Sequence, residues 1–198
     1  FEAEPCYMYH TVNAYEVGDE VVLLGCRVKN LIPETQDTTG TVARLDTIEL
    51  VPHLYEWRFN LKTGTTTERQ LDDLATEFPR INDSIQGRRA AFGYHPRVAK
   101  RADLMFDGLV KYAFGDSSAK AVETWNAPAG WFVGEASFAP NDTKRSEDDG
   151  FLVTFGTNAR EQQSAAFVID AKTMQLISTV HLPQRISLGF HSYWCPGV

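Results

Sequence analysis

Apolar and polar positions alternate in short stretches along most of the chain, and turn-forming residues separate the stretches. Glu20 to Val28 (EVVLLGCRV) is apolar and β-branched and follows a Gly18-Asp19 turn signal. Leu54 to Asn60 sets Leu54, Glu56, Arg58 and Asn60 against Tyr55, Trp57 and Phe59, the period-two pattern of a strand. The turn Leu61-Lys62-Thr63-Gly64 and the Thr-rich run Thr65 to Leu71 complete a predicted hairpin. Further strands are predicted at Ala90 to His95, Gly108 to Phe114, Lys120 to Trp125, Trp131 to Phe138, Phe151 to Gly156 and Ala165 to Ile169. The last of these turns at Asp170-Ala171-Lys172-Thr173 and returns as Gln175 to Leu182. Helical periodicity is nearly absent, with a single turn at most over Leu71 to Thr76. The expected class is therefore all-β, as a sandwich, a barrel or a propeller.

An internal echo favours the propeller. RFNLKTGTTTERQL and FVIDAKTMQLISTV both read apolar strand, Asn or Asp, any residue, Lys-Thr, then a return strand. Recurring hairpins of this kind suit the outer strands of propeller blades, although Asx-x-Lys-Thr is also ordinary turn chemistry.

Length and charge narrow the functional classes. With 198 residues the chain corresponds to about one domain, and 43% hydrophobic against 23% charged residues is a globular balance. Twenty-six acidic against 19 basic residues leave a net charge of −7, which argues against a nucleic-acid-binding surface. No apolar run approaches the roughly 20 residues of a spanning helix. The chain opens on Phe1 and closes on Cys195-Pro196-Gly197-Val198, which reads as a fragment or processed product whose targeting region lies outside it. Cys6, Cys26 and Cys195 form neither a disulfide framework nor a zinc cradle, so a reducing compartment is expected.

Among the five histidines, His53 beside Pro52, His95 before Pro96 and His181 at a strand end read as surface or loop residues. His10, in YMYHTVNAYE, and His191, in LGFHSYW, sit in apolar, aromatic runs where a neutral imidazole needs a partner for each nitrogen. Taken singly, each reads as a satisfied core histidine before a metal ligand. Two glutamates shift that balance. Glu77 lies in TEFPRI and Glu135 in FVGEASF, where a carboxylate is costly unless paired. An ion pair with Arg80 competes for Glu77; for Glu135 the bland alternative is weaker. A carboxylate on the outer nitrogen of a metal-bound histidine would account for both pairs together.

These residues carry a resemblance. His10-Thr11-Val12-Asn13-Ala14-Tyr15-Glu16, followed by Gly18-Asp19-Glu20-Val21-Val22, resembles the His-x-x-Asn-Ala-Tyr/Trp-Glu segment of the carotenoid cleavage oxygenases. Glu77-Phe78-Pro79-Arg80-Ile81 is similar to that family's Glu-Phe-Pro-Arg-Ile motif. Gly134-Glu135, Glu147-Asp148-Asp149-Gly150, Asp170-Ala171-Lys172-Thr173, Leu182-Pro183-Gln184-Arg185 and Gly189-Phe190-His191 follow in the family's order, across essentially the whole chain.

The resemblance implies consecutive blades of a seven-bladed β-propeller that holds a non-haem Fe(II) through four histidines braced by three glutamates. By motif, His10 resembles the third iron ligand and His191 the fourth, while Glu77 and Glu135 resemble two of the bracing glutamates. Positions 10, 77, 135 and 191 are spaced 67, 58 and 56 apart, as though each blade or so supplied one. His53, His95 and His181 fall outside the matching motifs. Residues 1–198 would then be the C-terminal part of a single propeller oxygenase domain, with the N-terminal blades and the other ligands absent from this chain. Ser192-Tyr193-Trp194 after His191 departs from the Gly-Thr-Trp common in bacterial members, so the substrate is not carried over. Cys195 is a poor ligand candidate beside an all-histidine pattern.

The implied activity is that of an oxidoreductase. The Fe(II) dioxygenase would use O₂ to cleave a conjugated C=C bond of a carotenoid, apocarotenoid or stilbene into carbonyl products. Its partners would be O₂ and an apolar conjugated small molecule. Peripheral membrane contact would come only through segments outside the chain, and the expected setting is a cytoplasmic or plastid-like soluble compartment. Two alternatives stand beside it: a noncatalytic propeller module for binding or structure, and an isomerase of the same family.

Overall fold

The computed structural model describes residues 1–29, 51–101, 103–116, 118–143 and 145–197. Eleven antiparallel strands occur among them: β1 (Tyr7–Val17), β2 (Glu20–Val28), β3 (His53–Asn60), β4 (Thr66–Ala75), β5 (Phe92–Val98), β6 (Phe106–Phe114), β7 (Ala119–Asn126), β8 (Phe132–Pro140), β9 (Gly150–Asn158), β10 (Gln163–Asp170) and β11 (Leu176–His181). The all-β expectation holds. The only regular helical piece among the described residues is a short 3₁₀ turn, Asp83–Ile85, capped by Asn82 Oδ1 accepting from the Ser84 N–H.

The strands form three up-and-down units. β1-β2-β3-β4 is a four-stranded meander. β5-β6-β7 is the second, and the segment after β4 bridges onto the free edge of β5 through Thr76–Arg97 and Arg80–Tyr94 pairs, acting as its innermost strand. β8-β9-β10-β11 is the third, joined to the second by a single pair, Phe106 with Val133.

Apolar side chains explain why the units stack. In β6, Val110 and Tyr112 point to one face and pack with Val12, Val22 and Leu54 of the first unit. Leu109 points to the other face and packs with Val133, Leu152 and Phe167 of the third. A sheet covered on both faces by neighbouring sheets is the packing of adjacent propeller blades.

The two echoed hairpins are the outer strand pairs of the first and third blades. In β3–β4, Asn60 Oδ1 accepts from the N–H groups of Lys62 and Thr63; in β10–β11, Asp170 Oδ1 accepts from those of Lys172 and Thr173. Gly18, at φ 59°, makes the tight β1–β2 turn.

Several expectations are corrected. Leu71 to Thr76 makes no helical turn: β4 continues to Ala75, with extra residues looped between the His53–Ala75 and Tyr55–Gln70 pairs. Asp72 Oδ1 accepts from the Asp73 and Leu74 N–H groups there and so stabilises the irregularity. His53 is the first residue of β3, half-buried, rather than part of a polar connection. His95 is fully buried inside β5, not on a loop, because the strand runs on through Pro96 to Val98. His181 is exposed at the end of β11, as expected.

Candidate metal centre

His10, Glu77, Glu135 and His191 come together at the inner edges of the blades. His10 lies on β1, Glu77 on the bridging segment beside β5, Glu135 on β8, and His191 on the segment that follows the third blade. The four positions lie about one blade apart along the chain, which accounts for the spacing of about sixty residues.

Backbone irregularities aim two of the four. Between the Met8–Arg27 and Thr11–Gly25 pairs, Tyr9 and His10 stand opposite the single residue Cys26. Between the Val133–Gly156 and Ala136–Thr154 pairs, Gly134 and Glu135 stand opposite Phe155. Such bulges turn a side chain out of strict alternation. Gly134 has a second reason to be glycine: a Cβ there would stand 2.8 Å from the Gly189 carbonyl oxygen, on the segment that carries His191.

The four side chains form a mirrored relay. His10 Nδ1 lies 2.5 Å from Glu77 Oε2, and His191 Nδ1 lies 3.4 Å from Glu135 Oε2. Both carboxylates also accept a backbone N–H on the same oxygen, Glu77 from Phe78 and Glu135 from Ser192, the latter at 2.6 Å. The other oxygens differ. Glu135 Oε1 faces Arg80 Nη1 at 3.8 Å, whereas Glu77 Oε1 is buried without a hydrogen-bond partner. The expected alternative for Glu77, a pair with Arg80, does not form. Arg80 turns instead to Asp83 and Glu135.

Burial pushes the Glu77 carboxyl up from its ordinary value, and the hydrogen bonds from the Phe78 N–H and His10 pull the other way. With Glu77 ionised, its carboxylate can only accept, so His10 Nδ1 is the donor of that bond, and the neutral tautomer so fixed leaves Nε2 as the acceptor. That Nε2 lies 3.4 Å from His191 Nε2, with the rings at 79° to each other. When each Nδ1 is turned to a carboxylate, two lone pairs point at one another, an arrangement relieved by a cation held between them. The spacing suits two imidazole bonds of about 2.0–2.1 Å to a single ion. No group of three or more His, Cys, Asp or Glu donors is assembled among the described residues. The pair is open on one side, the His10 side chain 25% exposed and that of His191 63% exposed.

Phe78 was not singled out by sequence and sits at the centre. Its ring is 4.6 Å from that of His10, 5.3 Å from that of His191 and 5.6 Å from Phe106 and Phe190. It holds φ at 50°, a costly conformation for a non-glycine residue before proline, of order 1–3 kcal/mol. Only the tertiary packing around the ring and the bond from its N–H to Glu77 reveal it. Beside it, Phe78, Met105, Phe106, Val133, Leu188 and Phe190 line an apolar cleft of about 60 Å³.

The remaining candidates stay apart. His95 donates to or accepts from Thr76 Oγ1 at 3.2 Å, in the contact between the first two blades, and burial drives its pKa down to about 3. Cys195 is exposed and Cys26 buried. No helix among the described residues is long and apolar enough to cross a membrane.

Residues 1–196 match the retinal pigment epithelial membrane protein (RPE65) family. The chain is 34% identical to a carotenoid 9,10(9',10')-cleavage dioxygenase of Crocus sativus over 98% of its own length and 37% of that protein. It is 33% identical to a carotenoid cleavage oxygenase of Mycobacterium tuberculosis, over 99% of its length and 39% of that protein. It therefore spans about two fifths of the curated relatives it matches. Cobalt-substituted Synechocystis ACO superposes with a TM-score of 0.77 at 19% identity, over 93% of this chain and 38% of that one. An ACO/RPE65 chimera gives 0.79 at 19% identity, over 96% and 39%. These likenesses establish the fold: the three sheets are consecutive propeller blades.

Proposed function

Since the chain belongs to the retinal pigment epithelial membrane protein family and is similar to curated carotenoid cleavage enzymes, we propose that it is the C-terminal portion of a non-haem Fe(II) dioxygenase. The substrate class is a carotenoid, apocarotenoid or stilbene, cleaved at a conjugated C=C bond to carbonyl products. The observation that carries this reading is the pair of facing Nε2 atoms, 3.4 Å apart, each ring backed by a glutamate. In this reading His10 and His191 are two of four histidine ligands, and Glu77 and Glu135 set their tautomers and bring negative charge near the ion. The N-terminal blades of a seven-bladed propeller would supply the rest.

Ferrous ion, when bound, would supply the activation of O₂ for addition across the double bond. The chain's own contribution is placement. Neutral imidazoles suit a borderline divalent metal without cancelling its charge. The Phe78, Phe106 and Phe190 rings give an apolar flank on which a conjugated chain can lie.

The test compares residues 1–198 with the full-length protein by iron analysis and product detection with apocarotenoid and stilbene substrates. The long form is expected to hold stoichiometric iron and to release carbonyl products only in the presence of O₂. The short form is expected to retain little iron and to be inactive, because two ligands do not make a closed cage. Stoichiometric iron and turnover in the short form would overturn the four-histidine reading.

A further inference from the structure

His191 stands on weakly anchored chain. Of residues 187–197 only Leu188 and Ser192 are half-buried; the others are exposed and lie outside any strand. A ligand on such a segment must still be held in one orientation, at an entropic cost that local contacts have to meet.

Ser192 makes most of those contacts. Its N–H donates to Glu135 Oε2 at 2.6 Å, its hydroxyl donates to the Glu135 carbonyl oxygen at 3.1 Å, and its Oγ lies 2.8 Å from Ser137 Oγ. A hydroxyl donates once, so with Ser192 donating to the carbonyl, the Ser137 hydroxyl donates to Ser192. Ser137 is buried in β8, two residues beyond Glu135, so this short chain of bonds ties the segment to the strand that carries the bracing carboxylate. The flanking contacts are of other kinds: the Phe190 ring meets Phe78 at 5.6 Å, the Arg80 guanidinium lies 6.0 Å from the Tyr193 ring centre, and Gly189 passes over Gly134. None of these is a hydrogen bond to the backbone at 191 or 192.

We propose that Ser192 is a positioning residue for His191, its hydroxyl pairing with Ser137 so that the imidazole stays opposite His10. The metal-related part of this inference rests on the function proposed above; the strap itself does not.

The experiment uses the full-length protein, with Ser192→Ala, Ser137→Ala, the double variant and Ser192→Thr. Two quantities are read: Fe(II) release from the loaded protein into excess chelator, and amide exchange across residues 188–194 in metal-stripped protein. Each alanine variant is expected to speed release about 3- to 10-fold, Ser192→Ala more than Ser137→Ala because it also loses the bond to the Glu135 carbonyl oxygen. The double variant should match Ser192→Ala, because Ser137→Ala removes only the hydroxyl pair that Ser192→Ala has already removed. Ser192→Thr should stay near wild type. Amide exchange in the alanine variants should accelerate within 188–194 and nowhere else. Unchanged release and exchange in Ser192→Ala, additive effects in the double variant, or faster exchange spread over the whole chain would overturn the proposal. A wild-type protein that retains no metal would refute the metal reading, and the exchange measurement would still decide the strap.

Discussion

His10 and His191 are 181 positions apart in the chain, and their Nε2 atoms are 3.4 Å apart. No bond within a single blade joins them; the stacking of three sheets does. Replacing either by alanine is expected to reduce metal occupancy of the full-length protein to background while leaving its circular dichroism spectrum unchanged. Metal analysis after gel filtration checks this, and wild-type occupancy in either variant would remove that residue from the ligand set.

Glu77 and Glu135 should not be equivalent. Glu77 is 2.5 Å from its histidine and has no cation on its other oxygen, whereas Glu135 is 3.4 Å from His191 and shares its charge with Arg80. Replacing a bracing carboxylate commonly costs about 10- to 100-fold in metal affinity. Glu77→Gln is expected near the upper end and Glu135→Gln near the lower, as measured by chelator competition.

His95 should make the protein acid-sensitive. Burial lowers its folded pKa from the ordinary 6.5 to about 3, so between those values the unfolded chain binds a proton that the folded chain does not. Stability then falls as pH drops through that window, by up to about 1.4 kcal/mol per pH unit from this residue. Urea unfolding of metal-stripped protein between pH 4 and pH 7 should show a steeper loss in wild type than in His95→Gln. Equal slopes would mean that His95 does not stay neutral.

Lys111 and Asp148 form an ion pair buried between the second and third blades, with Nζ 2.8 Å from Oδ2 and 2.9 Å from the Lys172 carbonyl oxygen. Lys111→Met leaves the Asp148 carboxylate buried without its counter-charge, a loss on the scale of about 3–5 kcal/mol. Adding Asp148→Asn should recover part of it. Denaturant midpoints of the two variants provide the comparison.

Much of the fold is legible locally. Period-two patterning between turn residues is a property of neighbouring side chains, so it marks strands wherever it occurs. The paired Asn60 and Asp170 turns repeat because the same short hydrogen-bond geometry closes both hairpins. His10, Glu77, Glu135 and His191 are visible as polar groups in apolar runs, since a lone charge or imidazole there needs a partner somewhere.

What the partner is depends on packing between blades. The sequence left Glu77 open between Arg80 and a histidine, and it read His95 as a loop residue. Stacking the first blade on the second buried His95 and brought His10 to Glu77 across 67 positions. Phe78 in a left-handed conformation and Ser192 on Ser137 left no trace in the local pattern, because their neighbours come from other blades. Patterning along a strand decides which side chains face inward; which inward-facing side chains meet is decided by how the sheets twist and stack, where contacts distant in the chain outweigh any local preference.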